Sequence, residues 1–265
     1  MRQSVQKLEQ FYTARMGVAA QAMVSRRLQT LWPDLNEMDV LGYGYGIPYL
    51  HSYRDSARSI IYAMPPEQGA ARQMSSRGNI SLLTMDHELP FGPSVFDRVL
   101  VAHGLEEAAH MPALLDELWR VMKPEGRIVI VAANRAGLWA RSDKTPFGAG
   151  RPFSRTQLSG ALKASGFVPL VRSGALYCPP IRKMCGTSMA IGFEKFGETV
   201  WPGLSGLVLV EAVKRLYAGR GERQKKRLLR PQFGASGVLG TSATNTIKEA
   251  STDIHPLMEA AQTNE

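Results

Sequence analysis

Asp39-Val40-Leu41-Gly42-Tyr43-Gly44-Tyr45-Gly46-Ile47-Pro48 reads as a buried strand, a tight glycine turn and the first turn of a helix. Three glycines at alternate positions allow positive φ and let a ligand approach the backbone. Pro48 suits the first helical turn, where its missing N–H costs nothing. A helix start behind such a turn offers free N–H donors to a polar ligand. The same residues also serve as a plain strand–helix connection. The alternation of the glycines favours the ligand reading.

Working outward, apolar runs alternate with amphipathic segments. Upstream, residues 4–31 read as helical, with Val5, Leu8, Phe11, Tyr12 and Met16 at helical spacing. Gly17 either breaks this stretch or packs closely, and Pro33-Asp34 ends it. Downstream, a helix is expected from Pro48 to about Ala57. Strands follow at 58–64, 79–85, 95–102 and 127–132. The last is a nearly continuous β-branched run, which suits a central strand covered on both faces. Met111–Met122 is an amphipathic helix, and Lys123-Pro124-Glu125-Gly126 is its stop and turn. A loop rich in Gly, Pro and Arg runs from Asn134 to Pro152. Ser154 then caps a helix to Ser165, followed by a strand over Phe167–Tyr177. Residues 188–200 are expected to form a helix covering the site. Leu204–Val213 is a last apolar strand, with a helix as the alternative. Strands alternating with helices imply a mostly parallel sheet with right-handed crossovers.

Bulk properties narrow the field. A chain of 265 residues with 44% hydrophobic content suits one large domain plus a tail. No apolar run reaches the length of a membrane span, so no transmembrane segment is expected, and the N-terminus lacks a signal-peptide apolar region. Cys178 and Cys185 are too few for a disulfide framework or a four-thiolate zinc site, so no metal is expected and the location reads as cytoplasmic. The formal net charge of +9 suggests an anionic partner. Between Lys214 and Arg230 stand eight basic residues against the single acid Glu222. A solvated flexible segment is the plain reading. Weak contact of 214–230 with nucleic acid or an anionic surface is the alternative. The boundaries read from the sequence are 1–217 for the folded domain and 218–265 for a basic, then low-complexity, disordered tail. Within the domain, 1–35 are N-terminal helices, 36–135 the ligand-binding half and 136–217 the substrate-side half.

Three stretches together resemble the class I S-adenosylmethionine-dependent methyltransferases, in particular the small methyltransferase type 11 domains. The first is Val40–Gly46. The second is Asp86-His87-Glu88-Leu89-Pro90-Phe91 followed by Phe96-Asp97-Arg98-Val99. The third is Leu115–Ile128, similar to the family's helix, "R-V-L-K-P-G-G" turn and fifth strand. The resemblance is strong over residues 36–135 and looser to about 215. It implies a Rossmann-like, doubly wound, mostly parallel seven-stranded sheet with helices on both faces, and S-adenosylmethionine as cofactor.

By that resemblance Gly42, Tyr43, Gly44 and Gly46 would border the methionine and ribose of the cofactor. Asp86 would accept a hydrogen bond from the adenine amino group, and His87 would offer its backbone N–H to the ring. Met64, at the place of the family's ribose-binding residue, reads chiefly as a packing residue, with contact to the ribose as the alternative. His103 would border the methionine and the acceptor, either as a wall residue or as a catalytic base, because imidazole titrates near neutrality. Two positions depart from the family pattern. Val40 stands where an acid usually faces the cofactor's ammonium group, and Met64 replaces the carboxylate that usually binds the ribose. Three functions follow: a methyltransferase acting on an unidentified acceptor, an inactive methyltransferase-fold binding or regulatory protein, and a basic-tailed accessory protein for RNA or an anionic surface. The acceptor side is expected between the N-terminal helices, the 134–152 loop and the segment 177–203.

Overall fold

The computed structural model describes residues 2–76, 78–181 and 187–216. The tail beyond 216, and with it most of the basic run, lies outside the described residues. Two N-terminal helices, α1 (Val5–Thr13) and α2 (Arg15–Leu31), precede strand β1 (Asp39–Gly44). The break between the helices falls at Ala14. Gly17 lies inside α2, where a Cβ would come 1.9 Å from the Phe11 carbonyl oxygen, so the residue serves close packing.

After β1 come α3 (Ile47–Leu50), β2 (Ser59–Met64), β3 (Ser81–Leu83) and β4 (Phe96–Ala102). Then follow α4 (Met111–Val121), β5 (Met122–Ala133), α5 (Arg155–Ala164), β6 (Phe167–Ala175), α6 (Thr187–Val200) and β7 (Leu207–Lys214). The seven strands lie in the order β3-β2-β1-β4-β5-β7-β6. All run parallel except β7, which is antiparallel to both neighbours.

Successive side chains of a strand face opposite ways. Val40, Leu100, Val129 and Leu209 pack under α1 and α2. Leu41, Val99, Ile128 and Val210 pack against α4 and α5 with Leu114, Leu118, Leu158 and Leu162. α5 starts in a reciprocal capping box between Ser154 and Gln157, an arrangement worth about 1 kcal/mol.

Two expectations need correction. The helix expected to reach Ala57 is only α3, followed by one 3₁₀ turn over His51–Tyr53. Tyr49, Leu50 and Tyr53 are buried there, and the Tyr53 hydroxyl donates to the Trp32 carbonyl, which turns the chain early toward β2. Lys123–Gly126 lies within the bounds of β5, with Glu125 at φ 59°. Lys123 is drawn to Asp97 (2.7 Å) and Asp39 (3.4 Å). With Arg58, which also pairs with Asp39, these residues tie together the amino ends of β1, β2, β4 and β5. The segment expected at 204–213 is a strand, and α6 packs on α2 through the Arg27–Glu198 ion pair.

Candidate functional site

Open α/β sheets bind ligands at the carboxyl ends of their strands. Here that edge carries Gly44 at the end of β1, Met64 at the end of β2, Asp86 after β3, His103 after β4 and Asn134 after β5. Gly44 has φ 76°, and a Cβ on it would come 2.3 Å from the Ala102 carbonyl oxygen. Only glycine fits that turn. Gly42 is packed against Leu50 and Tyr62, and Gly46 against Leu100. The protein's own packing thus requires glycine at 44 and crowds a side chain at 42, whereas a Cβ on Gly46 would make only ordinary contacts.

The polar groups over this turn are engaged with one another. One Asp86 oxygen accepts from the Tyr43 hydroxyl, and the other is ion-paired with Arg2. The Arg2 guanidinium also donates to the Gly104 carbonyl at 3.2 Å and lies 3.5 Å from Glu67. Arg2 is brought there by the start of α1. The Val5 N–H donates to the Gln68 carbonyl at 2.8 Å, and the Gln3 N–H to Glu107 at 2.8 Å. Burial and the Asp86 carboxylate hold the Tyr43 phenol well above its usual range. Met64 is fully buried, with the Ala71 N–H directed at its sulfur at 3.4 Å. Val40 is also fully buried, in the layer under α1 and α2. His87 is exposed.

The segment after Asp86 is clamped by α4. The Leu89 N–H donates to Glu117, and Arg120 donates to the carbonyls of Leu89 and Phe91 at 3.0 and 2.8 Å. The Glu117 and Arg120 side chains therefore connect the second and third sequence stretches physically.

His103 is buried at φ 50°, a left-handed conformation uncommon outside glycine. Its Nε2 shares a 2.7 Å hydrogen bond with the Tyr12 hydroxyl, which also meets the Tyr49 hydroxyl. Its ring lies 4.8 Å from that of Phe147, and Gln68 donates to its carbonyl at 2.8 Å. Burial lowers its pKa to about 3, so the imidazole is neutral at physiological pH. Beside it, Glu106 is buried, with one carboxyl oxygen accepting from the Ala133 N–H at 3.2 Å. Burial pushes Glu106 up to about 7, against the pull of the backbone N–H groups it accepts from.

The structure thus brings Tyr43, Asp86 and His103 to one edge with Met64, and leaves His87 at the surface. Sequence reasoning missed Arg2, Gln68, Glu106 and Phe147. Arg2 carries no local signal, because its role depends on where α1 docks. Glu106 lay two residues past the glycine that follows His103, within reach of any reading that follows β4 beyond its end.

The chain matches a methyltransferase domain family over residues 39–130. It is similar to the ubiquinone/menaquinone biosynthesis C-methyltransferase UbiE of Pseudomonas putida, 42% identical over 55 residues, or 20% of this chain and 22% of that protein. The enzyme of the same name from Burkholderia vietnamiensis is 45% identical over 51 residues, 19% and 21% of the two chains. The chain thus matches about a fifth of the length of these curated relatives. Among solved structures, an S-adenosylmethionine-dependent methyltransferase of Thermotoga maritima superposes with a TM-score of 0.56 at 16% identity, covering 80% of this chain and 96% of that one. One from Mesorhizobium loti gives 0.52 at 13% identity, covering 71% and 96%. At such identities the likeness is one of fold. Residues 39–130 thus match a methyltransferase domain family, and the sheet that contains them has the fold seen in S-adenosylmethionine-dependent methyltransferases of known structure.

Proposed function

We propose that the protein is an S-adenosylmethionine-dependent methyltransferase whose cofactor site lies over Gly44, Asp86 and His103. The observation that carries this reading is the position of Asp86. It is a carboxylate at the carboxyl edge of the sheet, beside the turn of a methyltransferase-family strand and fixed by Tyr43. When bound, the cofactor supplies an electrophilic sulfonium methyl group. Asp86 would accept from the adenine amino group, and the His87 backbone N–H would serve the ring. Gly42, Tyr43, Gly44 and Gly46 would hold the methionine side, and Met64, buried at the end of β2, would back the ribose side without a polar contact. The buried rings of Tyr12, Tyr49, His103 and Phe147 exclude water, and their main contribution is holding the reactants in geometry. A neutral His103 with a pKa of about 3 is a poor proton acceptor at neutral pH, so it acts chiefly as a wall. The location that goes with this reading is the cytoplasm. Among the described residues no helix is long and apolar enough to cross a membrane.

One observation favours a second reading, a methyltransferase fold used for binding alone: Arg2 already occupies Asp86, and the positions of the two usual cofactor acids are apolar. Calorimetry with S-adenosylmethionine and S-adenosylhomocysteine decides between them. Binding is expected, and Asp86→Ala should weaken it at least about tenfold, the equivalent of one charge-assisted hydrogen bond. Unchanged affinity in Asp86→Ala refutes the adenine assignment. No binding at millimolar ligand, by the wild type or by Arg2→Ala, overturns the enzyme reading.

A further inference from the structure

Farther along, the same edge of the sheet carries a cavity of about 370 Å³. It opens between the loop after β5, the turn after β6, and α6 with the segment that follows it. This volume falls in the range of small-molecule sites. Leu138, Tyr177, Phe196, Trp201 and Leu204 supply most of the lining, and Arg141 is the one charged residue of the lining among the described residues. Leu138, Phe196, Trp201 and Leu204 each keep more than half of their surface exposed. Phe196 and Trp201 meet edge to face at 5.8 Å.

The walls are tied together by buried polar contacts. Asn134 Nδ2 donates to the carbonyls of Ser205 (2.7 Å) and Gly203 (3.0 Å). Trp139 Nε1 donates to the Cys178 carbonyl at 2.7 Å. The Leu176 N–H donates to Glu194 of α6 at 2.5 Å. These bonds join all three walls, so the cavity stands preformed. The Arg141 side chain is exposed and has no hydrogen bond or ion pair among the described residues.

We propose that this cavity binds a free amphipathic anion, with an apolar body against Phe196, Trp201 and Leu204 and a carboxylate or sulfonate head on Arg141. An apolar enclosure with one unpaired guanidinium at its lining matches both halves of such a molecule. A bilayer-binding face would instead present several cations around a convex apolar patch. The proposal does not rest on the methyl-transfer reading, although two of the cavity's walls belong to segments expected on the acceptor side.

The test is a titration of the full chain with anilinonaphthalene sulfonate, followed by displacement with decanoate and with decanol below their aggregation limits. One saturable site is expected. Trp201→Ser and Leu204→Ser should each weaken the dye about tenfold, as loss of a large apolar contact does. Arg141→Gln should weaken decanoate about fivefold, the scale of one exposed charge contact, and leave decanol unchanged. Leu170→Ser, an exposed apolar residue of β6, should change nothing. Unfolding midpoints confirm that each variant is folded. Absence of saturable binding overturns the proposal. So does equal affinity in both Trp201→Ser and Leu204→Ser, or an equal loss of decanoate and decanol in Arg141→Gln. Retention on phosphatidylglycerol vesicles without binding of monomeric decanoate assigns the face to a bilayer and also overturns it.

Discussion

Two candidate sites lie along one edge of this sheet and are furnished in opposite ways. Over β1 and β4 the protein's own groups meet: Arg2 and Tyr43 hold both oxygens of Asp86, and Tyr12 joins His103 to Tyr49. Beside β5 and β6 the walls are tied to each other, but their faces are left bare, with Phe196, Trp201 and Arg141 open to an incoming molecule. A ligand enters the cavity beside β5 by displacing water. At the first site the polar groups are already engaged, so a ligand that takes Asp86 shares or contests it with Arg2 and Tyr43. Affinity at the first is therefore reduced by that competition, whereas affinity at the second is limited mainly by the apolar area it covers.

The largest expected effect tests how tightly the first site is closed. Glu106 has its folded pKa raised to about 7 by burial, so the folded state keeps a proton that the unfolded chain releases above about 4.5. Stability therefore falls as pH rises from about 4.5 to 7. Glu107, His103, Tyr12 and Tyr49 are the titratable groups around it. Glu106→Gln should flatten that slope and stabilise the protein above pH 7 by on the order of 2–3 kcal/mol. Chemical denaturation across this range checks it, and an unchanged slope would mean that the carboxyl is hydrated and the site open.

A smaller effect is expected at Arg2. Freeing Asp86 by Arg2→Ala should tighten S-adenosylhomocysteine binding about tenfold, or about 1.4 kcal/mol. Calorimetry giving equal affinities for the two proteins would remove the competition. The dye site beside β5 should be indifferent to this change.

The smallest effect belongs to the opposite edge. The Arg58 hydrogen bond, with those of Ser59 and Lys123, holds Asp39 down to about 2. Its contribution is present above pH 4 and is lost as pH falls toward 2. The cluster is partly exposed, so Asp39→Asn should cost no more than about 1 kcal/mol at neutral pH. Neither site should change its affinity. A shift in ligand binding would show that the two edges of the sheet are coupled.

Much of the fold was legible because its signals are local. The β-branched run of Arg127–Ala132, the apolar spacing of Leu114, Leu115 and Leu118, and the Ser154 cap each act within a few residues. The order of the parallel strands then follows from crossover rules. The site was legible only as positions along an edge. Asp86, Met64 and His103 stand at that edge, but their partners Tyr43, Arg2 and Tyr12 lie 43, 84 and 91 residues apart from Asp86, Asp86 and His103 respectively. No periodicity reports such contacts. The same holds for the bare recess, whose walls come from three separated segments. α3 was overestimated because the buried Tyr53 ends the helix through a tertiary bond to Trp32, which propensity does not register.

The place of β7 also sets an order of assembly. β6 hydrogen-bonds to β7 alone, and β7 fills the gap between β6 and β5. During synthesis the chain emerges amino end first, so residues 167–175 leave the ribosome before any sheet partner exists for them. They must wait until residues 207–214 follow, while the outer edge of β5 stays unpaired. The last described strand is thus the keystone of the sheet. A nascent chain stopped short of Leu207 carries the open edge of β5 and a β6 unpaired on both sides, the kind of surface that chaperones cover and aggregation exploits.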